Sequence, residues 1–292
     1  MEYHEFGWTR FKVSNIGMGT YFDPAYIATA LLLHHRAGKD EKIAALKKGL
    51  ELGINLIDTA EIYMTEELVR EAIKGYKRDN LFIATKVLWN HLKYNGVLKA
   101  ADRSLRRLNC TYIDLYQIHM PNKRVPIEQT MKAMEKLVTD GKVKYVGVSN
   151  FSLEQTKSAE QALSTTQLAS NQVEYNLMRR KIEKDLLPYC EQKHIVIVPY
   201  RPIAHGKLVN PDTKLAAAMD EVSRKHGGKT RVQIALNWLM TKSITIFPIP
   251  RASRPERVVE NTGSVGWSLD TEDMKNSRKP HSSKCRQCAT HL

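Results

Sequence analysis

The sequence predicts a one-domain α/β protein, a (β/α)8 TIM barrel with an N-terminal β-hairpin and extra helices near the C-terminal part. Three observations predict it. From Asn55 onward, short apolar runs rich in β-branched residues alternate with amphipathic stretches of helical length, which is the pattern of a parallel sheet wrapped by helices. There are about eight such runs, the number a closed barrel requires. The alternation continues almost to the end of the 292 residues with no Pro/Gly/Ser-rich linker, and that length suits one barrel.

Residues 3–13 read as a short hairpin, and Ile16-Gly17-Met18 supplies the first barrel strand. Residues 21–38 are longer than a typical βα loop and contain an apolar stretch at 28–33, which suits a lid, a subunit contact or an extra packed helix. Helical spacing then joins Ile43, Leu46 and Leu50. Strand-like runs at 54–57, 81–84, 113–116 and 143–148 enclose the stripes Leu68, Val69, Ile73; Val97, Leu98, Ala101, Leu105; and Met131, Met134, Leu137. Further strand-like runs lie at 170–173, 195–198 and 244–247. Two extra helices are expected at 215–226 and 232–240, parted by Gly227-Gly228. Ser253-Arg254-Pro255-Glu256 reads as a helix start. The domain is read as 1–273, and 274–292 as a basic tail without acidic residues.

Composition narrows the function classes. With 42% hydrophobic residues the chain can bury a full core. No stretch is long and apolar enough to span a bilayer, and the N-terminus lacks the form of a secretory signal. Four cysteines make no disulfide framework; Cys110 and Cys190 stand singly, and a reducing cytoplasm is the expected setting. The net charge of +14 suits nucleic acid, an anionic surface or phosphorylated small molecules. No motif of a nucleic-acid module accompanies it, so neither nucleic acid nor membrane is the expected partner.

In a β/α barrel the C-terminal strand ends converge on one mouth. The second strand ends in Asp58-Thr59-Ala60-Glu61-Ile62-Tyr63, the third in Thr85-Lys86, and the fourth in Gln117-Ile118-His119. An acid, a phenol, an ammonium and an imidazole therefore meet there. Carbonyl reduction needs hydride at carbon and a proton at oxygen, and a phenol is too weak an acid unless its anion is stabilised. Lys86 offers that cation, Asp58 would pair with Lys86, and His119 can hydrogen-bond the carbonyl oxygen and orient the substrate.

These residues, in D-T-A-x-x-Y, A-T-K and D-L-Y-Q-I-H, resemble the tetrad of the aldo-keto reductase family, and the similarity runs from about Tyr3 to about Asp273. There is no Gly-x-Gly-x-x-Gly after a strand, so a Rossmann site is not expected. The resemblance implies instead an NADP(H) site on the barrel mouth and an NADPH-dependent reductase of a small-molecule aldehyde or ketone, reversible, with Tyr63 as general acid. It further implies that Gly19, Thr20 and Asp58 border the cofactor. Ser149, Asn150 and Gln172 would bind the nicotinamide carboxamide, and Tyr200 would stack on the ring with Arg201, Pro202 and Ile203 following. Arg251, Ser253, Arg257, Glu260 and Asn261 would take the adenosine 2′-phosphate and adenine, which favours NADP over NAD. Tyr21, Trp89 and Met120 would line the substrate pocket with His119.

Three positions depart from the family pattern: Arg251 replaces a common lysine, Met64 the glycine that often follows the tyrosine, and Arg201 the serine after Tyr200. The first keeps the charge, changes the geometry and should matter little; Met64 and Arg201 bear on the pocket wall and the pyrophosphate contact, and so on substrate range rather than reaction type. His281, Cys285, Cys288 and His291 form a ligand-type cluster in the tail, but two residues between the cysteines leave no loop between ligand pairs, so no metal is expected. The rival reading is a non-catalytic NADP(H)-binding regulatory or redox-sensing subunit of the same fold. An intact tetrad argues against it.

Overall fold

The structure is a computed structural model, and it describes residues 1–33, 37–209 and 214–276. Strands β1 (Tyr3–Glu5) and β2 (Lys12–Ser14) pair antiparallel, with His4 opposite Val13. The hairpin closes the floor of the barrel. Phe6 is fully buried with its ring 4.6 Å from that of Phe82, and Trp8 Nε1 donates to the Leu168 carbonyl at 3.0 Å. Complete burial of a phenylalanine contributes about 2–3 kcal/mol, enough to hold so short a hairpin in place.

The alternation then follows in order. Strand β3 (Met18–Gly19) leads to helices α1 (Pro24–Leu32) and α2 (Lys39–Glu51). β4 (Leu56–Asp58) precedes α3 (Glu66–Ala72), β5 (Phe82–Val87) precedes α4 (Tyr94–Leu108), and β6 (Ile113–Ile118) precedes α5 (Ile127–Thr139). β7 (Val143–Ser149), α6 (Leu153–Gln161), β8 (Leu168–Glu174), α7 (Leu186–Gln192) and β9 (Val196–Tyr200) complete the strands. Helices α8 (Lys214–Lys225), α9 (Arg231–Lys242), α10 (Pro255–Thr262) and α11 (Thr271–Asn276) finish the described chain. β3 to β9 form one parallel sheet in chain order. Among the described residues no helix is long and apolar enough to cross a membrane.

The eighth run differs from its sequence reading. The closing segment is not a regular strand at 244–247 but an irregular stretch from Thr245 to Ala252. Phe247 and Ile249 donate to the carbonyls of Ile197 and Pro199 on β9, while Gly17, beside β3, and Gly19 donate to those of Pro248 and Pro250. Both prolines sit where an N–H would point toward β3, so that side of the ladder lacks two donors and keeps only the isolated bridge of Gly19 with Arg251; on the β9 side Ile197 bridges Ile246. The barrel is nonetheless hydrogen-bonded on both sides of the seam.

The period of two in each strand sorts the core. Leu56, Phe82, Ala84, Leu115, Val196 and Phe247 fill the interior, whereas Ile57, Ile83, Val87 and Ile118 face the helices. Helix α4 turns inward the face that carries Val97, Ala100, Ala101, Ser104 and Leu108. The segment 21–38 supplies α1, capped by Asp23, whose Oδ1 accepts from the Tyr26 N–H at 2.7 Å. It packs through Phe22 and Tyr26 against Leu68 and is thus a docked helix. The residues 34–36 of that segment lie outside the described residues.

Candidate active site

Asp58 ends β4 and Lys86 stands near the end of β5, both on interior positions of the alternation. Lys86 is fully buried; its Nζ lies 2.6 Å from Asp58 Oδ1 and donates to the Thr59 carbonyl at 2.9 Å. Gln172, on β8, donates from Nε2 to Asp58 Oδ2 at 2.8 Å. Burial pulls the Lys86 ammonium below its ordinary value, and the Asp58 charge opposes that shift.

Tyr63 closes a 3-10 turn, Glu61–Tyr63, that follows β4. The Lys86 ammonium is 4.9 Å from its ring centroid, and its hydroxyl lies 3.4 Å from His119 Nε2. Burial lifts the phenol well above its ordinary value, and the nearby Asp58 charge adds to that. The sequence reading had Lys86 acidifying this phenol. In the structure burial outweighs any effect of the ammonium, and the hydroxyl keeps its proton at neutral pH. Met64, next in line, has φ 57° in the left-handed region. A side chain there costs about 1 kcal/mol, which is why glycine suits this position.

His119 follows β6 directly. Burial, and after it the Lys86 charge, push its imidazole down to about 3, so it is neutral across the physiological range. A stability consequence follows from linkage. In the unfolded chain this histidine takes up a proton near pH 6.5; the folded protein resists doing so until about pH 3. Between those values the unfolded state binds more protons, so stability falls as pH falls. His119→Asn should therefore narrow the difference between urea midpoints measured at pH 7 and pH 4.5.

The remaining predicted positions divide into those the structure brings to this centre and those it does not. Asn150, with φ 64°, donates from Nδ2 to the His119 carbonyl and to Ser149 Oγ, each at 3.0 Å, and its Oδ1 accepts from the Tyr200 hydroxyl at 2.9 Å. Ser149 Oγ donates to the Gln172 carbonyl at 3.0 Å. Ser149, Asn150, Gln172 and Tyr200 thus form one network with Asp58 and His119. Tyr21 joins it through an edge contact to the Tyr63 ring at 5.2 Å. Trp89 and Met120 stand exposed on the loops after β5 and β6. Thr20 does not face the mouth: its hydroxyl meets Thr65 at 2.8 Å in a buried cluster that includes Thr59. Gly19 belongs to the barrel seam, where a Cβ would come within 2.8 Å of the Ile249 carbonyl.

The turn after β9 is strained, with Arg201, Ala204 and His205 all at positive φ. Pro202 is buried there and Ile203 half-buried. At the far side of the mouth, Arg251, Arg254 and Arg257 are exposed around the start of α10, whose N-cap has no side-chain hydrogen bond, while Ser253 is half-buried and Asn261 is buried on the inner face. The two predicted phosphate ligands are engaged within the chain: Arg251 Nη1 donates to the Phe22 carbonyl at 2.5 Å, and Arg257 Nη1 to Glu260 Oε2 at 2.8 Å. Among the described residues no cluster of His, Cys, Asp or Glu suits a metal ion, and His281, Cys285, Cys288 and His291 lie outside them.

Sequence reasoning missed the Thr59 carbonyl beneath Lys86, the Phe22 carbonyl on Arg251, and the buried carboxylate Glu61. A backbone carbonyl leaves no residue-type signal. Glu61 occupies an unspecified position of D-T-A-x-x-Y.

The profile of the aldo/keto reductase family matches residues 16–279. Similar proteins include aldo-keto reductase YhdN of Bacillus subtilis (strain 168), 32% identical over 316 residues covering 94% of this chain and 92% of that one. Methylglyoxal reductase YeaE of Escherichia coli (strain K12) is 36% identical over 80% of this chain and 82% of its own. Glyoxal reductase of Bacillus subtilis (strain 168) is 34% identical over the same shares, 80% and 82%. Among solved structures, the thermostable aldo-keto reductase Tm1743 with the inhibitor epalrestat superposes with TM-score 0.85 at 34% identity, covering 95% of this chain and 98% of that one. The aldo/keto reductase from Klebsiella pneumoniae with NADP and acetate gives TM-score 0.80 at 33% identity, covering 93% and 92%.

Proposed function

This chain belongs to the aldo/keto reductase family, and from that premise we propose that it reduces an aldehyde or ketone to the alcohol with NADPH, Tyr63 being the proton donor. The observation that carries the proposal is the meeting of four side chains: the Tyr63 hydroxyl 3.4 Å from His119 Nε2, with the Lys86 ammonium 4.9 Å from the Tyr63 ring centroid and paired to Asp58 at 2.6 Å.

The residues present fit the cofactor of the family. Three exposed guanidinium groups and an uncapped helix start suit a 2′-phosphate, with Arg251 and Arg257 as its partners. Tyr200 offers a flat face for a flat ring. Gln172, donating to Asp58 through its amide N–H, keeps a carbonyl oxygen to accept from a carboxamide. Bound NADPH would supply the hydride for the carbonyl carbon. Tyr63 gives its proton to the carbonyl oxygen and takes it back in the reverse direction. His119, being neutral, orients that oxygen by a hydrogen bond without competing as an acid. Lys86, paired with Asp58, faces the charge that grows on Tyr63 as the proton leaves. Trp89, Met120 and Tyr21 border the substrate.

The relatives named for methylglyoxal and glyoxal reduction put small dicarbonyls first in a test panel. With NADPH and a series of aldehydes, loss of reduced-nicotinamide absorbance should occur with at least one carbonyl and be slower with NADH. Arg251→Ala/Arg257→Ala should raise KM for NADPH by about 10- to 100-fold and leave KM for NADH nearly unchanged, as expected for lost charge-assisted phosphate contacts. Tight NADPH binding with no turnover across the panel would replace this reading with that of a non-catalytic cofactor-binding subunit.

A further inference from the structure

Glu61 is 8% exposed and lies two residues before Tyr63 in the same 3-10 turn. The second 3-10 turn at the mouth, Trp89–His91, follows β5 and carries Trp89. The Glu61 carboxylate joins the two. Its Oε2 accepts from the Leu88 N–H at 3.1 Å and lies 3.1 Å from His91 Nδ1, so it grips both ends of the Trp89 turn. Its Oε1 accepts from Arg103 Nη2 of α4 at 2.7 Å, and that same nitrogen is 3.3 Å from His91 Nδ1.

The arrangement holds in either form of the histidine. Arginine can only donate and the carboxylate can only accept. With a proton on Nδ1, His91 donates to Glu61; without one, it accepts from Arg103. Burial alone would raise the Glu61 carboxyl, but the Arg103, His91 and Leu88 donors together hold it below its ordinary value, so it is an anion at neutral pH. Neither Glu61 nor Arg103 points at the Tyr63–Lys86–Asp58 contacts. Their reach is lateral, from the turn of the proton donor to the turn of the aromatic wall.

We propose that Glu61 is a positioning residue that, with Arg103 and His91, sets the distance between the Tyr63 hydroxyl and the Trp89 wall and so fixes the size of carbonyl substrate that is productively held. The proposal rests on the reductase reading of the same site. Displacing a positioning group by a fraction of an ångström is felt most by a substrate that spans the gap and least by one that does not.

The test uses Glu61→Gln and His91→Ala, the second at a side chain 35% exposed, where failure to fold is not at issue. NADPH dissociation constants should stay within about twofold of the parent, because Glu61, His91 and Arg103 are none of the proposed cofactor contacts. For an aromatic aldehyde that reaches Trp89, KM should rise about tenfold in Glu61→Gln and less in His91→Ala; for methylglyoxal it should change less than about twofold. Loss of folded protein would lower kcat equally for both aldehydes and leave both KM values alone, and that result, or no change at all, overturns the proposal. A second readout is independent of turnover. Acrylamide quenching of Trp89, taken as the difference between each protein and its Trp89→Phe form, should increase in both variants. Unchanged quenching overturns the brace, whereas a parent protein that turns over no carbonyl overturns the reductase reading alone.

Discussion

Tyr63→Phe should lower kcat for carbonyl reduction by about 10²–10⁴-fold while NADPH affinity stays within about twofold, the loss expected on removing a positioned general acid. The ring stays. Its edge contact with Tyr21 at 5.2 Å and the Lys86 ammonium at 4.9 Å from its centroid do not depend on the hydroxyl. What disappears is a single oxygen, 3.4 Å from His119 Nε2. A hydrogen bond that long contributes little to stability, so the unfolding midpoint should barely move. Burst and steady-state kinetics with a cofactor titration check the result. Retention of more than about a tenth of the activity would mean that the proton reaches the substrate from another group.

Lys86→Met has the larger expected effect on stability. It strands the Asp58 carboxylate, 3% exposed, with Gln172 as its remaining side-chain partner. Breaking one side of a buried ion pair costs about 3–5 kcal/mol. Activity should fall with it, since the ammonium beside the developing phenolate is then gone. The stranded carboxylate is relieved by taking up a proton that the unfolded chain would not hold, so the variant should be less destabilised at pH 5 than at pH 8. Lys86→Met/Asp58→Leu should recover most of the stability and none of the activity. Urea unfolding at the two pH values, with kcat on the same preparations, separates the pair's structural contribution from its chemical one. Equal destabilisation at both pH values would show that the loss comes from packing rather than from an uncompensated charge.

The parts of this site legible in the sequence are those fixed by strand periodicity. Asp58 and Lys86 meet because both occupy interior positions at the ends of neighbouring strands, and alternation alone predicts that. His119 and Asn150 follow from the same rule, one residue past β6 and β7. The seven regular strands were legible for the same reason. The eighth was misplaced because Ile244 and the residues after it look like a strand by composition, whereas the pairing depends on Pro248 and Pro250, which no hydropathy pattern weighs. The hold on Arg251 is not legible in the sequence because the carbonyl that accepts from it belongs to Phe22. The Glu61–Arg103 bridge joins residues 42 apart along helices and turns that share no common period.

The proline-bearing seam has a consequence for biosynthesis. Residues 245–252 emerge from the ribosome after β3 to β9, so until then the nascent sheet exposes two open edges. A regular, donor-rich closing strand would be able to pair as readily with the edge of another chain as with its own. Pro248 and Pro250 remove two donors from one side at a loss of about 1 kcal/mol each, and the segment becomes a poor template for intermolecular pairing. It still closes its own barrel, because there Phe247 and Ile249 also bury their side chains beside Phe6 and Val13. Specificity for the home edge comes from the core beneath it, and aggregation is resisted by the backbone above.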